Sequence, residues 1–105
     1  MEEFTQINID EAKELIAGTD VTILDVRDPQ TFAESHIPNA VMLTDRTIEN
    51  FLKTADKTKP LICYCYHGLS SQNAALFFAE NGFQKVYSIM GGFEEWRQKF
   101  PTVTE

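Results

Sequence analysis

Short runs of apolar, mostly β-branched residues alternate along the chain with longer amphipathic stretches. Four of these runs predict strands, at residues 21–26, 40–43, 61–65 and 86–89, and a weaker run at 5–7 predicts an edge strand. Apolar residues fill the runs continuously, as is typical of strands that are covered on both faces. Strands that alternate with helices indicate an α/β fold with a mainly parallel sheet.

Capping and breaking residues mark the ends of the predicted helices. The first helix follows Asn8 or Asp10 as its cap and stops at Gly18. An Asp-Pro pair at 28–29 opens a short helix over residues 29–34, because Asp is a good cap and Pro suits the first helical position. The three later helices start, in chain order, at Thr44 or Asp45, at Ser70 or Ser71, and after Gly92.

Composition and charge narrow the class of protein. Of 105 residues, 43% are hydrophobic and 24% are charged, which is typical of a globular protein, and we expect one domain over residues 1–105. Nine basic against 16 acidic side chains give a net charge of −7, which disfavours nucleic acids and anionic membranes as partners. The acidic start and the lack of a long apolar run predict neither a signal peptide nor a membrane span, so we expect a cytoplasmic protein.

The chain has two cysteines, Cys63 and Cys65, separated by one residue. This spacing is too close for an unstrained disulfide, so both are expected to be free thiols. Cys63 lies within an apolar run and is interpreted as a core residue. A metal site is disfavoured, because neither of the two histidines has the spacing that would complete a four-ligand set with the cysteines.

The turn after the predicted strand at 61–65 is the best candidate for chemistry. In open parallel sheets, ligands bind outside the carboxyl ends of the strands. Cys65 ends this strand, Gly68 permits a tight turn, and hydroxyl residues begin the next helix. Such a loop turns backbone N–H groups inward at a helix N-terminus, which binds anions and lowers the pKa of a central cysteine. A cysteine at a strand end is most often buried and inert, but this setting favours a nucleophilic Cys65 thiolate.

Other polar residues near this turn admit both a structural and a functional interpretation. Asp25 and Arg27 fit an ion pair that braces the neighbouring loops better than a role toward a substrate, because buried charges need partners. His67 fits loop shaping and substrate binding equally well. The serine pair at 70–71 fits a helix cap better than a donor to a bound ligand.

Three motifs occur in order along the chain. The first comprises Asp-Val-Arg at 25–27 with Ser-His-Ile-Pro-Asn-Ala at 35–40, the second is Cys-Tyr-His-Gly-Leu-Ser-Ser at 65–71, and the third is Gly-Gly-Phe-Glu-Glu-Trp at 91–96. In this order and spacing they are similar to the signatures of the rhodanese family, in particular of its single-domain thiosulfate sulfurtransferases of the GlpE type. The resemblance covers nearly the whole chain.

The resemblance implies a five-stranded parallel sheet flanked by helices on both faces, and a ping-pong transfer of a sulfane sulfur. Cys65 would take this sulfur from thiosulfate as a persulfide and pass it to cyanide or to a thiol, without a metal or an organic cofactor. Inward N–H groups of the following loop would stabilise the anions, which makes the implied substrate-binding residues Tyr66, His67, Gly68, Leu69, Ser70 and Ser71.

The chain departs from the family pattern at a few positions. Tyr66 stands where many rhodaneses carry Arg or Lys, so the positive potential must come from backbone groups and the helix dipole. Ser35 and Asn39 stand where the family often has glycine, and we expect only local effects on that loop.

Two related functions remain open beside an enzyme. Binding modules of the rhodanese type commonly lose the cysteine that this chain keeps, whereas a persulfide carrier that serves a protein partner would use the same chemistry at Cys65. A cysteine-dependent phosphatase is disfavoured, because its Cys-x5-Arg loop needs an arginine where this chain has Ser71.

Overall fold

The structure is a computed structural model that describes residues 3–104. Met1, Glu2 and Glu105, which the sequence analysis includes in the expected domain, lie outside the described residues. The strands are β1 (Thr5–Ile7), β2 (Thr22–Asp25), β3 (Leu61–Tyr64) and β4 (Val86–Ile89). The helices are α1 (Ile9–Gly18), α2 (Pro29–Glu34), α3 (Ile48–Thr54), α4 (Ser70–Glu80) and α5 (Gly92–Lys99).

The four strands form one parallel sheet in the order β1-β4-β3-β2, with helices on both faces. This arrangement confirms the predicted α/β fold. Strand β3 lies inside the sheet, between β4 and β2. The loop that begins at Cys65 therefore leaves the carboxyl end of an interior strand, where ligand sites of open parallel sheets form.

Within residues 3–104 the sheet has four strands rather than the expected five. The apolar run at 40–43 pairs at a single residue, Val41, whose N–H donates to Ile23 O and whose carbonyl accepts from Asp25 N–H, each over 2.9 Å. Asn39, just before this run, has a φ of 71°. The left-handed residue turns the backbone onto the edge of β2, and the chain leaves that edge again after one residue.

The predicted helix starts hold to within one residue, except for that of the third helix. Asn8 caps α1 by accepting from Glu11 N–H, and the Glu11 side chain returns a bond to Asn8 N–H. The third helix begins at Ile48 rather than at Thr44 or Asp45. The hydroxyl of Thr47 accepts from Thr44 N–H over 2.8 Å, and this local bond holds residues 44–47 as a turn that precedes the helix.

Two apolar cores lie on opposite faces of the sheet. One includes Tyr64 and Trp96 and is covered by α1 and α5; the other includes Cys63 and Phe78 and is covered by α3 and α4. Side chains alternate along β3, so Tyr64 and Cys63 enter different cores and the whole strand is buried. The prediction that Cys63 is a core residue is confirmed. Among residues 3–104, no helix is long and apolar enough to cross a membrane.

Candidate active site

Cys65 lies at the centre of the loop that joins β3 to α4. The backbone N–H groups of Gly68 and Ser71 each point at its sulfur from 3.2 Å. The side-chain oxygen of Ser71 lies 3.4 Å from the same sulfur and is hydrogen-bonded to it. The sulfur therefore sits in a cup of donors, and Cys65 is only 6% exposed.

Hydrogen bonding decides the ionisation of Cys65. Burial alone would raise its pKa, but bonds from the Ser71 hydroxyl and from the backbone N–H groups of Ser71, Gly68 and His67 lower it below the ordinary thiol value. In the described part of the chain no such bond reaches the Cys63 thiol, and burial raises its pKa to about 12. The pKa values of two cysteines separated by one residue are thus shifted in opposite directions, downward for Cys65 and upward for Cys63.

Three carbonyls of the loop are held by donors that lie outside the cup. The carbonyl of Cys65 accepts from Phe93 N–H over 2.8 Å, and that of Tyr66 accepts from Glu94 N–H over 3.0 Å. In a trans peptide the C=O and the following N–H point in opposite directions, so the bond from Glu94 turns the His67 N–H toward the sulfur, where it helps to lower the Cys65 pKa. The side chain of Gln72 holds the Gly68 carbonyl in the same way, over 2.9 Å.

Glycines allow the loop to lie directly against the backbone at the start of α5. A Cβ on Gly92 would stand 2.5 Å from the carbonyl oxygens of both Cys65 and Tyr66. Gly68 has a φ of 94°, and a Cβ there would stand 2.9 Å from Gly91 N. Only glycine permits this approach of backbone to backbone.

The predicted cap of α4 is wrong. Ser70 begins the helix rather than capping it, and Leu69, at the cap position, makes no side-chain cap bond. The sulfur of Cys65 takes that place, because it accepts the N–H of Ser71 in the first turn of the helix. The hydroxyl of Ser71 is directed at the same sulfur and also lies 2.8 Å from the hydroxyl of Ser88.

The remaining residues of the predicted site surround the cup without bonding to the sulfur through their side chains. Tyr66, His67, Leu69 and Ser70 are exposed at its mouth. The Tyr66 hydroxyl donates to the carboxylate of Glu94, and the ring packs edge-on against His67 with centroids 4.5 Å apart. Leu69 is 74% exposed, so the rim of the cup is partly apolar.

Asp25 and Arg27 form the structural ion pair favoured by the sequence. Arg27 Nη2 donates to Asp25 Oδ2 over 2.5 Å and to the carbonyl of Ser35 over 2.7 Å. The hydroxyl of Tyr64 donates to Asp25 over 2.7 Å and accepts from Ile37 N–H over 3.1 Å. The buried pair thus ties the end of β2 to β3 and to the segment at 35–37.

Two other features bear on what the site can hold. Residues 3–104 contain no group of three or more histidine, cysteine and acidic side chains placed to hold a metal ion. A cavity of about 220 Å³ lies on the α4 side of the sheet, and its lining includes no residue of the 65–71 loop. The cavity is lined by Leu24, Val26, Arg27, Leu43, Ile48, Ala74, Phe77 and Phe78.

Sequence reasoning missed the groups that shape the loop from outside. Gln72, Ser88 and the first N–H groups of α5 were not singled out. The consecutive glycines at 91–92 are a usable signal, because such a pair before a helix indicates a close backbone approach. A serine within the apolar run of β4 is a second signal, because a buried hydroxyl needs a partner.

Comparisons with known proteins agree with this geometry. A sequence profile described as the rhodanese-like domain matches residues 8–99. A protein named thiosulfate sulfurtransferase GlpE from Coxiella burnetii is 46% identical over 99 residues, which cover 94% of this chain and 92% of the relative. A protein of the same name from Pseudomonas syringae pv. syringae is 45% identical over 104 residues, covering 99% and 97%.

A solved structure shares the fold. The crystal structure of a rhodanese-related protein from Thermoplasma volcanium matches with a TM-score of 0.80 at 27% identity, and covers 97% of this chain and 100% of that one. The profile spans most of the chain, and all three motifs that carry the resemblance lie within it. The chain belongs to the rhodanese-like domain family.

Proposed function

We propose that this protein is a thiosulfate sulfurtransferase that carries the transferred sulfur as a persulfide on Cys65. The observation that carries the proposal is the pair of backbone N–H groups, from Gly68 and Ser71, that each point at the sulfur from 3.2 Å. Donors in this arrangement favour a thiolate and an anionic persulfide alike. The names of the curated relatives from Coxiella burnetii and Pseudomonas syringae support thiosulfate as the donor.

The first half-reaction loads the sulfur. The Cys65 thiolate attacks the outer sulfur of thiosulfate, and an S–S bond forms between them. The bond between that sulfur and the sulfonate group breaks, and sulfite leaves with the electron pair. The outer sulfur remains on Cys65 as an anionic persulfide within reach of the inward N–H groups.

The second half-reaction removes the sulfur. A nucleophilic acceptor, cyanide or a thiolate, attacks the outer sulfur of the persulfide and forms a new bond to it. The S–S bond to Cys65 breaks, and its electron pair returns to the cysteine as thiolate. The cup stabilises this leaving thiolate with the same donors, so one arrangement serves both half-reactions.

The charge of the site comes from backbone rather than side chains. Arg27 is committed to Asp25 and to the Ser35 carbonyl, and Tyr66 takes the place of the cation that many rhodaneses carry. The doubly charged thiosulfate would therefore be bound by N–H groups and by the N-terminus of α4. His67, exposed at the mouth, would lie beside the bound anion.

Intact-protein mass spectrometry after incubation with thiosulfate tests the proposal. The wild type should gain one sulfur atom, and cyanide should remove it with formation of thiocyanate. Cys65→Ser should gain none. Cys63→Ala is the matched control, because it removes the other thiol, which is buried in the core, and it should load sulfur like the wild type.

Each outcome assigns the site differently. Loading of Cys65→Ser would overturn Cys65 as the carrier. A wild type that takes no sulfur from thiosulfate would overturn the proposed donor. If the wild type loads sulfur but only a protein thiol can remove it, the protein would be a carrier that serves a protein partner rather than an enzyme that serves small-molecule acceptors.

A further inference from the structure

Ser88 is a polar residue in an otherwise apolar strand. Strand β4 reads Val-Tyr-Ser-Ile, and Ser88 is 1% exposed. Its hydroxyl lies 2.8 Å from the hydroxyl of Ser71, which is the one hydrogen bond of the Ser88 side chain among residues 3–104. Burying a hydroxyl costs free energy unless it is bonded, so this pair is unlike the apolar contacts around it.

Ser71 stands between Ser88 and the sulfur of Cys65. Its side-chain oxygen is 2.8 Å from Ser88 Oγ and 3.4 Å from Cys65 Sγ, and it is fully buried. Ser88 pairs with Cys63 in the sheet, and Cys65 comes two residues later, so these side chains project toward the same face. The three groups form a continuous chain that begins within the core and ends on the sulfur.

We propose that Ser88 is a positioning residue, which holds the Ser71 hydroxyl on the sulfur of Cys65, and that both hydroxyls reverse their hydrogen bonds when the thiol ionises. In the thiol state, the S–H donates to Ser71 Oγ, and the Ser71 hydroxyl donates to Ser88 Oγ. In the thiolate state, the Ser88 hydroxyl donates to Ser71 Oγ, and the Ser71 hydroxyl donates to the sulfur. The thiol proton leaves to solvent, and each hydroxyl keeps its own proton and rotates.

The reversal keeps every member of the chain bonded in both states. A hydroxyl both donates and accepts, so the pair can satisfy a thiol that donates and a thiolate that only accepts. In the thiolate state, the bond from Ser88 polarises the Ser71 hydroxyl and strengthens its bond to the sulfur. This inference rests on the proposed function in taking the thiolate as the reactive form.

Most ionisable groups on the surrounding elements are paired. The first turn of α4 carries none. Those at the end of β2 and on β3, β4, the loop and α5 are Asp25, Arg27, Cys63, Tyr64, Tyr66, His67, Tyr87, Glu94, Glu95, Arg97 and Lys99. Asp25 bonds to Arg27 and Tyr64, Glu94 bonds to Tyr66 and Arg97, and Lys99 bonds to Asp10. The variants compared below keep every one of these groups except Cys63, so their effects are common to all of the proteins.

The pH dependence of Cys65 alkylation by iodoacetamide tests the proposal on the free protein. All variants carry Cys63→Ala, which leaves a single thiol, and this parent should titrate like the wild type. Ser71→Ala should raise the Cys65 pKa by about 1, the loss of a hydrogen bond to a charge. Ser88→Ala should raise it by about 0.5, so that alkylation below this pKa slows about threefold, because only the polarisation is lost.

The double variant and an isosteric pair separate positioning from packing. Ser88→Ala should have no effect in the Ser71→Ala background, since Ser88 acts through Ser71. In Ser88→Thr, which keeps a hydroxyl, the Cys65 pKa should equal that of the parent. In Ser88→Val, which has the size of threonine but no hydroxyl, the Cys65 pKa should equal that of Ser88→Ala. Where Ser88→Ala does not fold, the Thr and Val variants give the same comparison.

Three results would overturn the inference. The first is a Cys65 pKa that Ser88→Ala leaves unchanged, and the second is a rise by Ser88→Ala that is equally large in the Ser71→Ala background. The third is a Cys65 pKa that Ser88→Ala lowers, which would mean that Ser88 draws the Ser71 proton away from the sulfur. The readout needs no thiosulfate. If Ser88→Ala shifts the alkylation profile but the wild type loads no sulfur, this inference is supported and the proposed function is overturned. If the wild type loads sulfur but Ser88→Ala leaves the profile unshifted, the proposed function is supported and this inference is overturned.

Discussion

The N–H of Phe93 donates to the carbonyl oxygen of Cys65 over 2.8 Å, so the first turn of α5 is bonded to the backbone of the reactive residue. A second bond, from Glu94 N–H to Tyr66 O, continues the contact. Helix α4 supplies the Ser71 N–H to the sulfur, whereas α5 fixes the two peptide planes that follow Cys65, the second of which carries the His67 N–H. Two helices thus act on one cysteine from opposite sides of its loop.

Gly92→Ala should break this contact. The new Cβ would meet two carbonyl oxygens at 2.5 Å, both of them backbone, so the loop must move away from α5. We expect a loss of about 100-fold in kcat/KM for sulfur transfer, because displacements of about 1 Å at a reactive centre cost this much. Thiocyanate formation from thiosulfate and cyanide measures it.

Gly18→Ala is the matched control for that substitution. Gly18 ends α1, and a Cβ there would meet nothing within 4 Å. Activity should be unchanged, and stability should rise by about 0.4–1 kcal/mol because the unfolded chain loses freedom. Equal activity in the two variants would contradict the role given to the contact between α5 and the loop.

The two thiols should differ sharply in reactivity. Iodoacetamide at neutral pH should label Cys65 and spare Cys63, since only the former has a lowered pKa. The rate at Cys65 should fall about tenfold for each pH unit once the pH is below its pKa. Peptide mapping after timed labelling measures both sites, and prior labelling of Cys63 in the folded protein would contradict the assignment.

Cys63 should make the protein less stable at alkaline pH. In the folded state the pKa of Cys63 is about 12, whereas in an unfolded chain a cysteine has a pKa of about 8.5. The contribution of the Cys63 thiol to the free energy of unfolding is therefore complete below the pKa of the unfolded state. It is lost as the pH rises toward the pKa of the folded state. The free energy of unfolding should fall by up to about 1.4 kcal/mol per pH unit above roughly pH 9 from this group.

Cys63→Ala isolates that contribution. The variant loses some packing at neutral pH, but its urea-unfolding free energy should fall less steeply than that of the wild type between about pH 9 and pH 11. All other titrating groups are common to both proteins and cancel in the difference. Parallel pH profiles would show that Cys63 does not carry this dependence.

Tyr64→Phe should destabilise the protein without removing its chemistry. The change leaves buried Asp25 without one donor and Ile37 N–H without its acceptor. We expect a loss of about 1–3 kcal/mol in urea unfolding, with sulfur loading from thiosulfate retained at temperatures where the variant is folded. Unchanged stability, or loss of loading in a folded variant, would give the Asp25 and Arg27 pair a role other than bracing.

The sequence predicts best where one local pattern decides the structure. Strand β4 is found at the predicted residues, and Asn8 caps α1, because apolar runs and caps act over a few positions. The run at 40–43 has the same apolar character but pairs only at Val41. Whether this run forms a full strand depends on the left-handed turn at Asn39, which the pattern of apolar residues does not predict.

In the candidate site, too, some features follow from a local sequence pattern and others depend on residues that are distant in the sequence. The Cys-x-x-Gly pattern before a helix was enough to expect inward N–H groups around Cys65. The role of Ser71 was misassigned, because its hydroxyl bonds to Ser88, 17 positions later in the chain. Capping rules concern neighbours in sequence, and the partner of this hydroxyl becomes a neighbour only when β4 joins the sheet.

The bonds from α5 to the loop also set an order of maturation. During synthesis Cys65 is made well before Phe93 and Glu94, and β4 must still enter the sheet between β1 and β3. Until then the carbonyls of Cys65 and Tyr66 lack the two donors that α5 supplies. We therefore expect the pKa of Cys65 to reach its lowered value only after residues 86–94 have been made and have folded against the loop.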